Sequence, residues 1–259
     1  MLELIDVRKV FRPENGEPVE AVAGVSLTVE RGEFVSIVGP SGCGKSTLLE
    51  IIAGLTEPTS GEVRLDGVPL ASPHPSVGVV FQEDSTFPWR TVLENVEFGL
   101  AMRGVPPAER REKARRMIRA VGLAGFEKAY PPELSGGMRQ RVAIARTLVL
   151  EPALLLMDEP FGALDEQTRL VLGEELLRLW AQTGSTVVFV THSLDEAVLL
   201  SDRVCVMSAR PGRVKDVVRV GLPRPRDSSV IGTPAFGALT GRIWENLREE
   251  ALRAMGRDA

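Results

Sequence analysis

The chain has 259 residues, 44% of them hydrophobic, and a net charge of −4 in which acidic and basic side chains are mixed. That length suits one large domain, or a core with a subdomain, and the apolar share is enough to build a buried core. The weak acidic balance argues against a general nucleic-acid binder, which usually carries a strongly basic face.

In chain order, Leu2–Val7 alternates apolar and polar residues and predicts a half-buried strand. Phe11 follows, then a turn-rich stretch from Arg12 to Pro18 and a second strand over Val25–Val29. Phe34–Val38 is a wholly apolar run before a glycine-rich loop, and Leu48–Ala53 reads as the helix after it. A short strand at Glu62–Leu65 turns at Asp66-Gly67, and Val77–Phe81 is a further buried strand ending at Gln82. The opening section is therefore β-rich.

From Thr91 to Val149 the pattern becomes helical, an insertion between two halves of one sheet. Pro106-Pro107 starts a helix with Ala114, Met117, Ile118 and Val121 on one face. Arginines at 110, 111, 115, 116 and 119 crowd the rest, most simply as a solvated face. Apolar strands return at Leu154–Met157, Thr186–Val190, Val204–Met207 and Val214–Val220, with a helix through Leu172, Leu176 and Leu179. Continuous apolar strands alternating with helices predict a parallel sheet covered on both faces. After a Pro- and Arg-rich stretch at 221–227, Thr233-Pro234 caps an amphipathic helix carrying Phe236, Leu239, Ile243 and Leu247. That helix is expected to pack back on the core. No apolar run reaches the ~18 residues of a membrane span. The N-terminus does not read as a signal peptide. Cys43 and Cys205 suggest no disulfide framework, so a reducing cytosol is expected.

The chemistry centres on Gly39, Pro40, Ser41, Gly42, Cys43, Gly44, Lys45, Ser46 and Thr47, which fit G-x-x-x-x-G-K-[ST]. Glycines let successive backbone N–H groups curl around phosphate oxygens. Lys45 supplies positive charge at the β- and γ-phosphates, and the Ser46 hydroxyl can ligate Mg²⁺. The helix after the loop adds its N-terminal dipole. A chance match in a glycine-rich turn would not be framed by a buried strand and a helix. Asp158 ends an apolar strand and can hold Mg²⁺, and Glu159 beside it can polarise the attacking water. Gln82, which can reach the metal or that water, and His192, which can reach the γ-phosphate, also stand at strand ends. Such ends gather ligands at the carboxyl edge of a parallel sheet. Ser135, Gly136 and Gly137 open a helix over 138–150, a second anion-binding terminus. One nucleotide cannot easily fill both termini of one subunit, so a second copy is expected to cap the nucleotide of the first.

With these residues in family order, the chain resembles an ATP-binding-cassette (ABC) ATPase subunit over residues 1–225. The resemblance identifies Gly39–Thr47 as Walker A, Gln82 as the Q-loop glutamine and Leu134–Gln140 as the signature. It identifies Leu154–Asp158 with Glu159 as Walker B, Ala163–Asp165 as the D-loop and His192 as the switch histidine. Phe11 takes the place of the adenine-stacking aromatic, usually Tyr. The implied fold is α/β, a P-loop NTPase (RecA-like) core over 1–90 and 150–227. It has an N-terminal antiparallel β section, an α-helical subdomain at 91–149 and a helical tail at 228–259. Glu159, His192 and Gln82 are implied in catalysis, and Ser46, Gln82 and Asp158 in holding Mg²⁺. The nine Walker A residues, Phe11, Ser135, Gly136, Gly137, Gln140 and Asp165 are implied in binding ATP.

The stretch from Phe81 to Val96, with Ala209–Arg213 and Leu222–Asp227, resembles the nitrate, sulfonate and taurine importer ATPases. That implies a head-to-tail, ATP-dependent homodimer at the cytoplasmic face of a bacterial membrane. Its partners would be permease subunits and, indirectly, a solute-binding protein, without nucleic acid. Phe87 and Trp89 are expected either to help line the groove that receives a permease helix or simply to pack inside the helical subdomain. An exporter or lipoprotein-release ATPase would share the main motifs. A soluble mechanical ATPase would carry heptad arms or two cassettes, and a small-molecule kinase would not need the Ser-Gly-Gly motif.

Overall fold

The computed structural model describes residues 1–14, 16–83 and 85–254. The chain divides into two compact units, Met1–Val77 with Thr186–Ala259, and Gly78–Ser185. This division differs from the one drawn from motif positions, because the strands at 77–80 and 154–158 fall with the helices between them.

The first unit holds an antiparallel sheet and part of a parallel one. Strands β1 (Leu2–Phe11), β2 (Val19–Val29), β4 (Ser60–Leu65) and β5 (Val68–Pro69) lie in the order β2-β1-β4-β5. Both β1 and β2 are longer than the sequence pattern suggests. Phe11 pairs with Val19, so cross-strand pairing extends strand past the clean apolar alternation. The other strands are β3 (Phe34–Val38), β8 (Thr186–Val190), β9 (Arg203–Met207) and β10 (Val214–Arg219), in the order β10-β9-β3-β8. β3 is parallel to both neighbours, and β10 returns antiparallel to β9. Every residue of β3 and β8 is buried, and each large side chain so buried is worth about 1.5–3 kcal/mol over exposure. Helix α1 (Lys45–Ile52) packs on β8 and β2, and α6 (Leu194–Leu200) on β3 and β9. Helix α7 (Pro234–Ala254) packs on β9, β10 and α6, burying Phe236, Ile243 and Glu250 at seven-residue spacing.

The Pro-Arg stretch has a structural cause. Arg226, 6% exposed, donates to the carbonyls of Val198, Leu199, Ser201, Val220 and Leu222. Arg224 donates to Leu200 O and pairs with Asp202. Two guanidinium groups thus satisfy the last carbonyls of α6, where positive charge also suits the helix dipole. Burial, with Arg224 nearby, pushes the Arg226 pKa down to about 10, so it stays charged at neutral pH. Arg226→Leu should leave those carbonyls unpaired at a cost of about 3 kcal/mol. The expected readout is a melting temperature lower by roughly 6–12 °C. An unchanged melting temperature would contradict the role.

The second unit holds β6 (Val77–Val80), from Gly78 onward, and β7 (Leu154–Asp158) as neighbours, with α2 (Val92–Met102), α3 (Pro107–Ala120), α4 (Gly136–Leu148) and α5 (Glu166–Thr183). Helices α2, α3 and α4 pack on one another. Thr91 and Glu94 form a capping box at the start of α2. Helix α3 buries Ala114 and Ile118 and turns Arg111, Arg115, Arg116 and Arg119 to solvent. Arg110 pairs with the buried Glu97 of α2.

Candidate functional site

In the first unit β3 feeds the phosphate loop. Gly44, at φ 102°, is the N-cap of α1 and its carbonyl accepts from Leu48 N–H at 2.8 Å. Lys45 is buried and its Nζ donates to Gly39 O (2.9 Å) and Pro40 O (3.1 Å). The ammonium therefore rests on the carbonyls of its own loop. Ser41, Gly42 and Ser46 are exposed, and Gly39, Pro40 and Thr47 half-buried. Cys43 is buried, and burial pushes its thiol pKa up against the lowering effect of Lys45.

Register brings His192 to the same sheet edge. β8 runs parallel to β3 with Ile37 opposite Val190, so Thr191-His192 leaves the sheet where the phosphate loop does. The Thr191 hydroxyl donates to Glu196 and accepts from Ser193 N–H, fixing the turn on both sides of the exposed imidazole. Phe11 lies at the end of β1, half in solvent, with the Lys9 ammonium 5.2 Å from its ring centroid.

In the second unit β7 is buried along its length, ending in the largely buried Asp158. Glu159 follows at φ 44°, a left-handed conformation costly for a residue with a side chain. Gln82, after β6, donates its amide to Glu159 Oε2 at 3.4 Å. These two strand-end groups therefore meet.

The Ser-Gly-Gly motif opens a helix that begins at Gly136 rather than at 138 and ends at Leu148 rather than at 150. Ser135 is the N-cap of α4, its hydroxyl accepting from Met138 N–H at 3.3 Å, and Gly136 is the first helical residue. Gly137 abuts the D-loop: a Cβ there would lie 2.8 Å from Leu164 Cδ2. Asp165 caps α5 by accepting from the Thr168 hydroxyl (2.7 Å) and amide (2.9 Å), which hold its pKa below the usual value. Gln140 is buried and donates to Phe81 O at 3.1 Å, tying the signature helix to the end of β6.

One residue escaped the motif reading. Asn95 is fully buried; it accepts from Phe87 N–H (2.8 Å) and donates to the carbonyls of Phe87, Arg90 and Thr91. It shapes the segment that follows Gln82. The signal available was an amide among Val92, Val96 and Leu100 on the apolar face of α2. Phe87 stacks edge-on against Phe98 at 4.8 Å under the Arg146 guanidinium, while Trp89 is 71% exposed.

A buried strand opening into a phosphate loop and helix, with a strand-end carboxylate pair, belongs to the P-loop NTPases. The family model for ABC transporters matches residues 22–162, and the chain belongs to that family of ATPases. It is 52% identical to an uncharacterized ABC transporter ATP-binding protein of Methanocaldococcus jannaschii, over 98% of this chain and 94% of that one. It is 46% identical to an aliphatic sulfonates import ATP-binding protein of Bacillus thuringiensis, over 95% and 96% of the two chains. It is 48% identical to a nitrate import ATP-binding protein of Synechocystis, over 86% and 83%. Among solved structures, a dimeric ATP-binding cassette in a post-hydrolysis state with ADP and Pi matches with TM-score 0.78 and 36% identity. That match covers 85% of this chain and 99% of the other.

Proposed function

We propose that this chain is the ATP-hydrolysing subunit of an ABC importer for nitrate, a sulfonate, taurine or a related small solute. It works as a head-to-tail homodimer at the cytoplasmic face of the membrane, on permease subunits supplied through a solute-binding protein. The observation that carries the reading is the pair of glycine-opened helix N-termini in one chain, α1 after Gly44 and α4 after Ser135. Only the first has the lysine, so each needs the other's kind across a nucleotide. The import assignment is supported by relatives named for sulfonate and nitrate import. Among the described residues no helix is long and apolar enough to cross a membrane, which suits a subunit that docks on one.

ATP would bind through the backbone of Gly39–Thr47 and the Lys45 ammonium, with Phe11 stacking on adenine. Ser135, Gly136, Gly137 and Asp165 of the second copy would close over it, Gln140 supporting them from within α4. Glu159 would take the proton of the attacking water, with His192 donating to the γ-phosphate and Gln82 reporting its presence. Mg²⁺ would be held by Ser46, Asp158 and Gln82, which offer the hard oxygen donors this ion takes. It would supply charge neutralisation on the phosphates.

Reconstitution with a permease and solute-binding protein of the nitrate or sulfonate import class tests the reading. ATP hydrolysis should rise when the binding protein carries nitrate or a sulfonate. Hydrolysis coupled to outward movement of a substrate would overturn import. The exposed Trp89 should act as a docking side chain. Trp89→Ala should leave ATP binding intact and weaken permease capture at least about tenfold, as for a central interface aromatic. Unchanged capture and transport would reject that role.

A further inference from the structure

The segment Ala209–Arg213, which carries part of the likeness to the importer ATPases but no assigned role, forms the outer wall of the phosphate loop. Arg210 Nε donates to Gly42 O at 3.0 Å. Gly212 faces the next carbonyl so closely that a Cβ there would lie 2.1 Å from Cys43 O. Gly212 is itself tied to β2, donating to Ala21 O (3.0 Å) and accepting from Ala23 N–H (2.9 Å). In a trans peptide C=O and N–H point in opposite directions. Holding the carbonyls of Gly42 and Cys43 toward this wall therefore turns the N–H groups of Cys43 and Gly44 to the opposite, phosphate-binding side. The Cys43 N–H now rests on Pro40 O at 3.3 Å. Successive inward N–H groups are what an anion nest requires.

The wall is held in turn by the C-terminal helix. Glu250 of α7, 2% exposed, accepts from Ala209 N–H at 2.9 Å. Its carboxylate is fixed by Lys215 (3.0 Å) and Arg253 (2.9 Å). A nearly buried carboxylate with three partners is a rigid anchor.

We propose that Arg210 is a positioning residue for the phosphate loop and that Glu250 anchors it, so that α7 sets the affinity for ATP. The proposal rests on reading Gly39–Thr47 as the ATP loop. The contacts run in series from α7 to Ala209, Arg210 and Gly42, so removing either anchor should have one and the same effect.

The test is steady-state ATP hydrolysis by the full chain, with melting temperatures and with ATP affinity measured by fluorescent-analogue displacement. Arg210→Ala should raise the ATP KM and Kd about tenfold, the scale of one charge-assisted hydrogen bond, with kcat within about twofold. Arg210→Lys should recover part of that loss. Glu250→Ala should reproduce the KM increase, and the double variant should match Arg210→Ala alone, the mark of sites that act as a unit. Unchanged KM in Arg210→Ala, or additive effects in the double variant, would overturn the proposal. A fall in kcat and melting temperature with KM unchanged would reduce the segment to a structural loop. Lys45→Ala, measured beside them, separates the two readings: full ATP binding by that variant would refute the ATP loop itself.

Discussion

Glu159→Gln should bind ATP as the parent does and hydrolyse it about 10²–10⁴ times more slowly, the usual worth of a positioned general base. Gln keeps the shape of the side chain and its ability to meet Gln82, 3.4 Å away. It cannot take a proton from water at neutral pH. The backbone at φ 44° fixes where this side chain starts, so a shorter Asp should not rescue the rate. Single-turnover hydrolysis at saturating ATP measures the step directly. A Gln variant with normal turnover would remove Glu159 from the role of base.

Lys45→Ala should abolish binding as well as hydrolysis. The ammonium is buried and already donates to two loop carbonyls. Moving those hydrogen bonds to phosphate oxygens requires little reorganisation. Two charge-assisted hydrogen bonds of about 1.5–3 kcal/mol each would be lost. Affinity should then fall at least about a hundredfold. Equilibrium binding of ATP to the folded variant, checked by its melting temperature, gives the answer. Retained affinity would refute the assignment of the loop.

These groups were legible in the sequence because their chemistry constrains both residue type and spacing. Gly44, Lys45 and Ser46 stand consecutively where the loop becomes helix α1, as the proposed phosphate site requires. Asp158 and Glu159 must follow an apolar strand to reach a sheet edge. The element types were legible for the same reason, since β3 and β8 read as continuous apolar runs and are wholly buried. Strand ends were less so: β2 begins at Val19 rather than Val25, because its first half is held by pairing with β1 rather than by an apolar pattern.

What the sequence hid are polar residues whose partners are backbone atoms, near or far along the chain. Asn95 looks like any helical amide until the carbonyls of 87, 90 and 91 converge on it. Arg226 reads as part of a family-like Pro-Arg stretch, and only the fold brings the end of α6 to it. The contacts of Arg210 and Glu250 are likewise silent, since they span long separations in the chain, although Arg210 lies in a stretch that carries family likeness. Spacing carries no information about such pairs.

The central claim is that two copies of this chain share each ATP. The most direct measurement is the solution mass of Glu159→Gln by light scattering, with and without ATP, beside a Glu159→Gln, Gly136→Asp double variant. Position 136 suits this test: a Cβ there meets nothing nearer than Arg139 Nη2 at 3.7 Å. An acidic residue in the first turn also favours the helix while repelling a phosphate from its N-terminus. A shared site gives a shift from monomer to dimer mass when ATP is added to the single variant, and none in the double variant. ATP binding without any dimer in the single variant, or an equal shift in both, would contradict it.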